Sequence, residues 1–470
     1  MRPHTTPKTK ICISSHMKNE KVSSQIQKIC GILHDACKTC LKTLNLTIKA
    51  QFSTDNEIEC RGVLNFSVFV KLVTGKNTIQ FIINKKQDCQ HCSLIQCHQN
   101  LKKICLIFEK SDSNSLLKNT HPKICFFLMT RLNLCCVDLK NLINIIYFAF
   151  NLLHCFIINV FNAYISFNNF VNFSSTQSIF DNFKNINIVK FNQADKLDTF
   201  EFYRDEISKT KYYQHFKRKN IKCMVVIDQL ETDFGALDNL EHYMNIHCMK
   251  TNSTCSFISI ANLIHWPKTI EELNLIINST DEICFLNEKV EKQKIFATSF
   301  GALVHEFFHL MDVGHLHGGL MSKEYYDIEK FFKLNYMECN RFLKRFIPLS
   351  IMQLLNYHPY LIGQTCNKDC LVKFVRPGLI LSTHLIKYIE IRVWETGLKV
   401  LHKDLFQNET YIDNNSTFKY QYKIQLSLLY SAYENLIEFT LKPMENEANL
   451  LLFVITCNTF YFKLHTSHFI

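Results

Sequence analysis

Residues 305–315, HEFFHLMDVGH, constrain the fold and chemistry of this chain more than any other feature. Residues four apart lie on one face of an α-helix, so His305 and His309 can present two imidazoles to one metal ion. Glu306 follows His305 directly and can reach a water molecule beside that ion. The pattern therefore predicts that residues 292–313 form a helix that carries a metal site.

His315 supplies a third ligand in this interpretation. Three neutral histidines leave the fourth position of a tetrahedral zinc ion open for water, as a catalytic site requires. We expect one zinc ion per chain and hydrolysis of a peptide bond by metal-activated water, with Glu306 as the general base. Among 470 residues with 20 histidines, this arrangement arises by chance roughly 0.002 times per chain. His317 and Glu324 are the alternatives for the third ligand.

Glycine is scarce in the chain and concentrated around the motif. Of 11 glycines, four lie within 19 residues: Gly301, Gly314, Gly318 and Gly319. Because glycine adopts backbone conformations that strain other residues, the cluster predicts tight turns. Gly314 is expected to let the chain leave the helix and bring His315 back to the metal.

The motif is similar to HExxHxxGxxH of the metzincins, which is followed by a Met-turn. The positions that match are His305, Glu306, His309 and His315. Residues 318–321, GGLM, resemble the Met-turn, which implies that Met321 forms an apolar floor beneath the metal. Core packing is the other role open to Met321.

Residues 298–332 also resemble a poorly characterised eukaryotic family of zinc metallopeptidases with HExxHxxDxGH and a following G-[IL]-M. The alternating run at 66–81 is similar to an N-terminal β-region of that family. These resemblances imply a zincin (metzincin-like) catalytic domain.

Three positions depart from the metzincin pattern. Asp312 replaces the glycine of the motif, although aspartate tolerates a left-handed backbone better than most residues. Asp312 could also bind the metal or support a zinc-bound histidine. Phe308 stands where such helices often have glycine. No tyrosine lies two residues after Met321, so the sequence offers no candidate for stabilising the oxyanion.

Hydrophobic patterning predicts an α+β protein with three parts. Residues 1–130 are expected to be a basic N-terminus and a β-rich domain, in which residues 64–84 form a hairpin. Residues 131–375 would form the metallopeptidase domain, with a leading helical segment, strands at 187–191, 222–228 and 255–264, and an exposed helix at 200–217. Residues 376–470 would form a β-sandwich-like domain.

Several features bear on the surroundings of the site. The strand at 255–264 could be an edge strand that binds extended substrate, or an ordinary core strand. His265 and Trp266 could line the cleft or form a packed turn. A second metal at Cys37, Cys40, Cys89 and Cys92 is the less favoured interpretation, because the two CxxC pairs lie about 50 residues apart, well beyond the usual spacing. Cys366 and Cys370 are weaker candidates still.

Composition narrows the class of protein. Residues 143–167 are long enough to cross a bilayer, but four asparagines on one helical face favour a buried helix with a polar stripe over a membrane span. A net charge of +11 accompanies no nucleic-acid-binding motif, so no nucleic-acid partner is expected. No signal peptide is visible, which predicts a cytoplasmic protein with reduced thiols. The expected partner is a peptide or protein substrate. A zinc-binding scaffold of the same fold that does not hydrolyse is the competing hypothesis.

Overall fold

The computed structural model describes the following residues: 10–16, 20–22, 24–34, 44–50, 57–61, 65–85, 102–108, 124–131, 136–164, 186–191, 200–210, 222–227, 250–251, 255–259, 266–278, 282–285, 288–358, 361, 370–375, 379–393, 399–404, 410–411, 420–423, 450–456 and 461–465. Within them the chain is a mixed helix and strand structure, which confirms the predicted α+β class.

The N-terminal part contributes two sheets. Its strands are β1 (Lys10–Ile13), β2 (Glu20–Val22), β3 (Ile26–His34), β4 (Leu44–Ala50), β5 (Glu57–Arg61), β6 (Asn65–Lys71), β7 (Gly75–Lys85) and β8 (Lys102–Phe108). One sheet has the order β1-β3-β6 and the other β2-β8-β7-β4-β5. All pairs are antiparallel except β2 with β8.

The hairpin predicted at residues 64–84 is wrong in its pairing, although both strands exist. β6 pairs with β3, whereas β7 lies between β8 and β4 in the other sheet. The backbone N–H and C=O of Phe69 in β6 are satisfied by the buried Asn274 side chain, at 2.9 Å each. Phe66 and Phe81 then face each other from the two sheets, with ring centroids 5.8 Å apart.

The central part holds a five-stranded sheet and most of the helices. Its elements are β9 (Ile124–Arg131), α1 (Cys136–Tyr164), β10 (Ile186–Phe191), α2 (Phe200–Lys209), β11 (Lys222–Ile227), β12 (Lys250–Thr251), β13 (Cys255–Ser259), α3 (Ile270–Asn278), β14 (Glu282–Phe285), β15 (Glu288–Glu291), α4 (Lys292–Leu310), a 3-10 helix (Lys323–Ile328), α5 (Glu329–Lys333), α6 (Tyr336–Phe346) and α7 (Leu349–Tyr357). The sheet order is β10-β9-β11-β13-β12. Every pair in this sheet is parallel except β12 with β13.

This sheet corrects one expectation about the substrate edge. β13, within the predicted strand at 255–264, lies between β11 and β12 and is therefore an interior strand. In the described part of the chain, the sheet ends at β12, and α4 contacts both β12 and β13. All six residues of β11 are buried, as expected for a central parallel strand.

The part Leu139–Tyr164 of helix α1 is long and apolar enough to cross a membrane, judged by length and composition alone. However, 67% of its most apolar 18-residue stretch is buried. Phe156 packs edge-on against Phe300 of α4 and Phe331 of α5. Asn144 and Asn162 are exposed, and the other two asparagines of the stripe are half-buried and bond to carbonyls one turn earlier. This packing favours a core helix with one polar stripe.

The C-terminal part contributes two antiparallel sheets. Its strands are β16 (Val372–Val375), β17 (Leu379–Ser382), β18 (Ile386–Val393), β19 (Lys399–Asp404), β20 (Thr410–Tyr411), β21 (Tyr420–Lys423), β22 (Leu450–Thr456) and β23 (Tyr461–His465). The sheet orders are β16-β17-β21-β20 and β19-β18-β22-β23. Helix α7 contacts β18.

One hydrophobic cluster includes residues of all three parts of the chain, from Ile11 to Ile455. Buried Lys28 of β3 donates to the carbonyls of Phe331 and Leu334 at the end of α5. The N-terminal sheet is thus joined to the helices by both apolar and charged contacts. The division at residues 130 and 375 stays a prediction, and the first boundary falls inside β9.

Candidate metal centre

Helix α4 positions the motif because its N-terminal half is buried on several sides. Phe296 and Phe300 contact the ring of Trp266, whose Nε1 donates to Ser299 Oγ at 2.6 Å. Trp266 is therefore a core residue at the far end of the helix from the motif, and not part of a cleft. His265, the other residue predicted to line the cleft or form a packed turn, lies outside the described residues.

Gly301 explains how a second element approaches α4. A Cβ at this position would lie 2.2 Å from the carbonyl oxygen of Tyr325 in the 3-10 helix. Glycine weakens a helix interior, and here it permits backbone to pack directly against backbone. The 3-10 helix is thereby held close to the motif end of α4.

The structure brings His305, His309 and His315 together. Their ring centroids are 4.4–5.4 Å apart, and one ring nitrogen of each lies within 4.8 Å of the others. His309 Nε2 lies 2.9 Å from His315 Nε2. Two nitrogens bound at 2.0–2.1 Å to a tetrahedral ion would be about 3.3 Å apart. The donor set and its spacing therefore fit a metal ion.

Two of these imidazoles are oriented by backbone carbonyls. His305 Nδ1 donates to Leu320 O at 2.7 Å, and His309 Nδ1 donates to Val313 O at 2.8 Å. A carbonyl oxygen only accepts, so each Nδ1 carries the proton and each Nε2 keeps its lone pair. This fixed tautomer is the one that a metal-binding histidine needs.

Burial keeps the same two rings uncharged. Loss of hydration lowers the pKa of His305 to about 4, an effect that its bond to Leu320 opposes. Burial also lowers the pKa of His309 to about 3, and the neighbouring His305 and His315 add to this shift. Both rings are therefore neutral near pH 7, which is the protonation state that binds metal.

The alternative third ligands are not brought to the other two histidines. His317 is exposed and does not belong to the group of ring nitrogens. Glu324 Oε2 instead accepts from Gly319 N at 3.0 Å. Among the described residues, His315 is the histidine that completes the cluster.

The chain leaves α4 through Asp312, not through Gly314 as expected. Asp312 has φ +60°, and Gly314 is not among the described glycines with positive φ. Asp312 N donates to His309 O at 2.8 Å, and Val313 N donates to Phe308 O at 2.9 Å. These two bonds form a Schellman motif, in which the left-handed residue follows the helix. The carbonyl of Val313 is thereby aimed at His309.

Asp312 is also the centre of a buried cluster of charges. Its Oδ2 accepts from Lys222 Nζ at 2.6 Å and lies 3.3 Å from His358 Nε2. Its backbone carbonyl accepts from Arg392 of β18. The carboxylate is thus occupied by protein groups, which favours a supporting role over metal binding. No local pattern identified Lys222, His358 or Arg392, because these residues are far from the motif in the chain.

The segment after His315 returns to the cluster through a tight turn. Gly319 has φ +75°, and a Cβ there would lie 2.3 Å from Phe346 O. Leu316 N donates to Met321 O at 2.9 Å, which joins the chain after the third histidine to this turn. Met321 has no exposed surface, as either an apolar floor or core packing would require.

Four further side chains of this region have defined burial or contacts. Phe307 and Phe308 are both buried, so they pack inward and do not narrow a cleft. Glu306 is half-buried on α4. Sequence reasoning missed Tyr325, whose ring lies 5.6 Å from that of His305. Tyr325 follows Met321 by four residues, so the spacing of two residues in the metzincin pattern does not point to it.

Cys37, Cys40, Cys89, Cys92 and Cys366 lie outside the described residues. Cys370 is a free, buried cysteine whose Sγ lies 3.5 Å from Thr456 Oγ1.

A scan against known protein families finds no match, and a search of curated proteins finds none either.

Proposed function

We propose that this chain is a zinc-dependent metallopeptidase with a zincin (metzincin-like) fold. The observation that carries the proposal is the convergence of His305, His309 and His315, two of which are neutral and held by backbone carbonyls. Glu306 stands directly after the first of them on the same helix. Three imidazole donors with an adjacent carboxylate are what hydrolysis requires and what a purely structural zinc site does not need.

Each residue has a distinct task in this proposal. His305, His309 and His315 would hold the ion, which when bound acts as a Lewis acid on the substrate carbonyl and on water. Glu306 accepts a proton from the attacking water and returns it to the leaving amine. Met321, which has no exposed surface, would form the apolar floor beneath the site.

A peptide substrate is favoured by the strand next to the motif helix. β12 ends the described sheet and contacts α4. An extended peptide can add to such an edge through backbone hydrogen bonds. Tyr325, next to His305, is our candidate donor to the oxyanion, a role that its phenolic O–H can fill.

The first test is the metal content of purified wild-type protein beside a His305→Ala/His309→Ala variant. We expect one zinc per chain in the wild type and none in the variant, by elemental analysis. No zinc in well-folded wild-type protein, under conditions that cannot strip it, would refute the proposal.

The second test separates catalysis from binding with a Glu306→Gln variant. The amide keeps the size of the side chain but cannot accept the proton, so zinc content should stay at one while hydrolysis of a peptide library falls at least a hundredfold. Equal hydrolysis by both proteins would contradict the role of Glu306. Zinc in both proteins and hydrolysis in neither would support the scaffold hypothesis.

A further inference from the structure

The buried charges around Asp312 come from distant parts of the chain. Lys222 belongs to β11, His358 follows α7, and Glu390 and Arg392 belong to β18. All are at most 5% exposed. Arg392 Nε donates to Glu390 Oε1, and Tyr388 donates to the other oxygen of that carboxylate. Two cations and two carboxylates thus balance one another in the interior, where an unpaired charge is strongly disfavoured.

The cations of this cluster hold one short piece of backbone. Lys222 Nζ binds both the carboxylate of Asp312 and the carbonyl of Leu310 at the end of α4. Arg392 Nη2 binds the carbonyl of Asp312. The turn that ends the motif helix is therefore fixed by β11 through one cation and by the C-terminal sheet through the other.

That turn sets the orientation of two metal-binding candidates. Val313, next to Asp312, provides the carbonyl that accepts from His309 Nδ1. His315 follows two residues later and lies 2.9 Å from His309 through their Nε2 atoms. A rotation of the Asp312 backbone would move both rings.

We propose that Asp312 is a positioning residue of the metal centre, and that Arg392 makes metal affinity depend on the C-terminal sheet. The inference rests on the proposed function only in taking the three histidines as ligands, and it does not require peptidase activity. It predicts that the C-terminal sheet is an integral part of the metal centre.

The left-handed backbone of Asp312 allows its side-chain contacts to be tested separately from its conformation. Glycine adopts φ +60° without strain, so a purely conformational role predicts that Asp312→Gly is harmless. To avoid leaving Lys222 unpaired, the variant is made as Asp312→Gly/Lys222→Met. The second variant, Glu390→Gln/Arg392→Met, removes the other pair without changing net charge. Arg392→Lys keeps the charge beside Glu390 but shortens the reach to Asp312 O.

The measurement is zinc affinity by competition with a chromophoric chelator, together with the visible absorption spectrum of the Co²⁺-substituted protein. Folding is checked by circular dichroism. We expect both double variants to bind zinc 10- to 100-fold more weakly, as for partners that orient metal ligands, and Arg392→Lys to be intermediate. The Co²⁺ spectrum should change in each.

The matched control is Thr456→Val in β22, a fully buried residue of the same sheet whose hydroxyl contacts Cys370. It should lower thermal stability but leave zinc affinity and the Co²⁺ spectrum unchanged. If the folded variants of the charge cluster bind zinc within twofold of wild type with the same spectrum, the cluster is only structural and the inference is wrong. In that case the wild type still binds zinc, and the proposed function stands. A wild type without zinc would overturn both.

Discussion

Replacing Gly301 by alanine provides a test in which local and tertiary effects have opposite signs. Position 301 is in the interior of α4, where alanine is favoured over glycine by about 1 kcal/mol. Helix propensity alone therefore predicts a more stable protein. In the structure, however, the new Cβ would lie 2.2 Å from Tyr325 O and 2.9 Å from Tyr325 C.

The size of the effect follows from this overlap. The Cβ would be about 1.2 Å short of the 3.4 Å at which ordinary contact begins. Both contacting atoms belong to backbone, so no side-chain rotation can relieve the clash, and the 3-10 helix must move. Overpacking of this kind costs about 1–3 kcal/mol. Because the clash is with backbone, we expect the upper part of that range, about 2–3 kcal/mol. After the gain of about 1 kcal/mol in helix propensity, the free energy of unfolding should fall by about 1–2 kcal/mol.

The assay is urea unfolding of metal-free protein followed by circular dichroism, with zinc affinity measured separately. Gly318→Ala is the matched control, because its Cβ would meet Glu324 Oε2 at an ordinary 3.5 Å. We expect that control to stay within about 0.5 kcal/mol of wild type. The reasoning would be refuted if Gly301→Ala were as stable as wild type or more stable.

Three further outcomes are expected. Gly319→Ala would place an alanine at φ +75° with its Cβ 2.3 Å from Phe346 O. This change should weaken zinc binding at least tenfold. Unchanged zinc affinity in a chelator competition would contradict the role of this turn. His315→Ala should lose the metal while His317→Ala keeps it, and elemental analysis showing the reverse would reassign the third ligand. Burial lowers the pKa of His154 from 6.5 to about 3. As the pH falls below 6.5, this side chain is protonated in the unfolded chain but not in the folded protein, so stability is lost as the pH falls from 6.5 towards 3. At pH 5 this one group removes about 2 kcal/mol. A His154→Leu variant should therefore lose less stability than wild type between pH 7.5 and pH 5 in urea titrations, and an identical loss would show that another group is responsible.

Local sequence was sufficient for the helix that carries the motif and for the identity of the three clustered histidines. The spacing of His305 and His309 places them on one face of any α-helix, whatever surrounds it. The tolerance of aspartate for a left-handed backbone similarly allowed a turn at Asp312 without a glycine. Burial of β11 and α1 also followed from their apolar composition.

Long-range contacts decided what local patterns could not. The strands β6 and β7 looked like a hairpin, but they belong to different sheets, and Asn274 of α3 satisfies the backbone of Phe69 in β6. From its sequence β13 could be an edge strand or a core strand, and it is an interior strand because β12 pairs with its outer side. Pairing partners are set by elements far away in the chain, and the periodicity of a single strand does not encode them.

The sequence by itself determined which side chains could bind a metal, since that depends on residue type and helical spacing. Only the tertiary structure decided how they are held. Lys222 and Arg392 lie 90 and 80 residues from Asp312, and neither belongs to a motif. A buried cation finds its anion through the packing of the whole chain, because the low polarity of the interior makes pairing necessary but leaves the choice of partner to the fold.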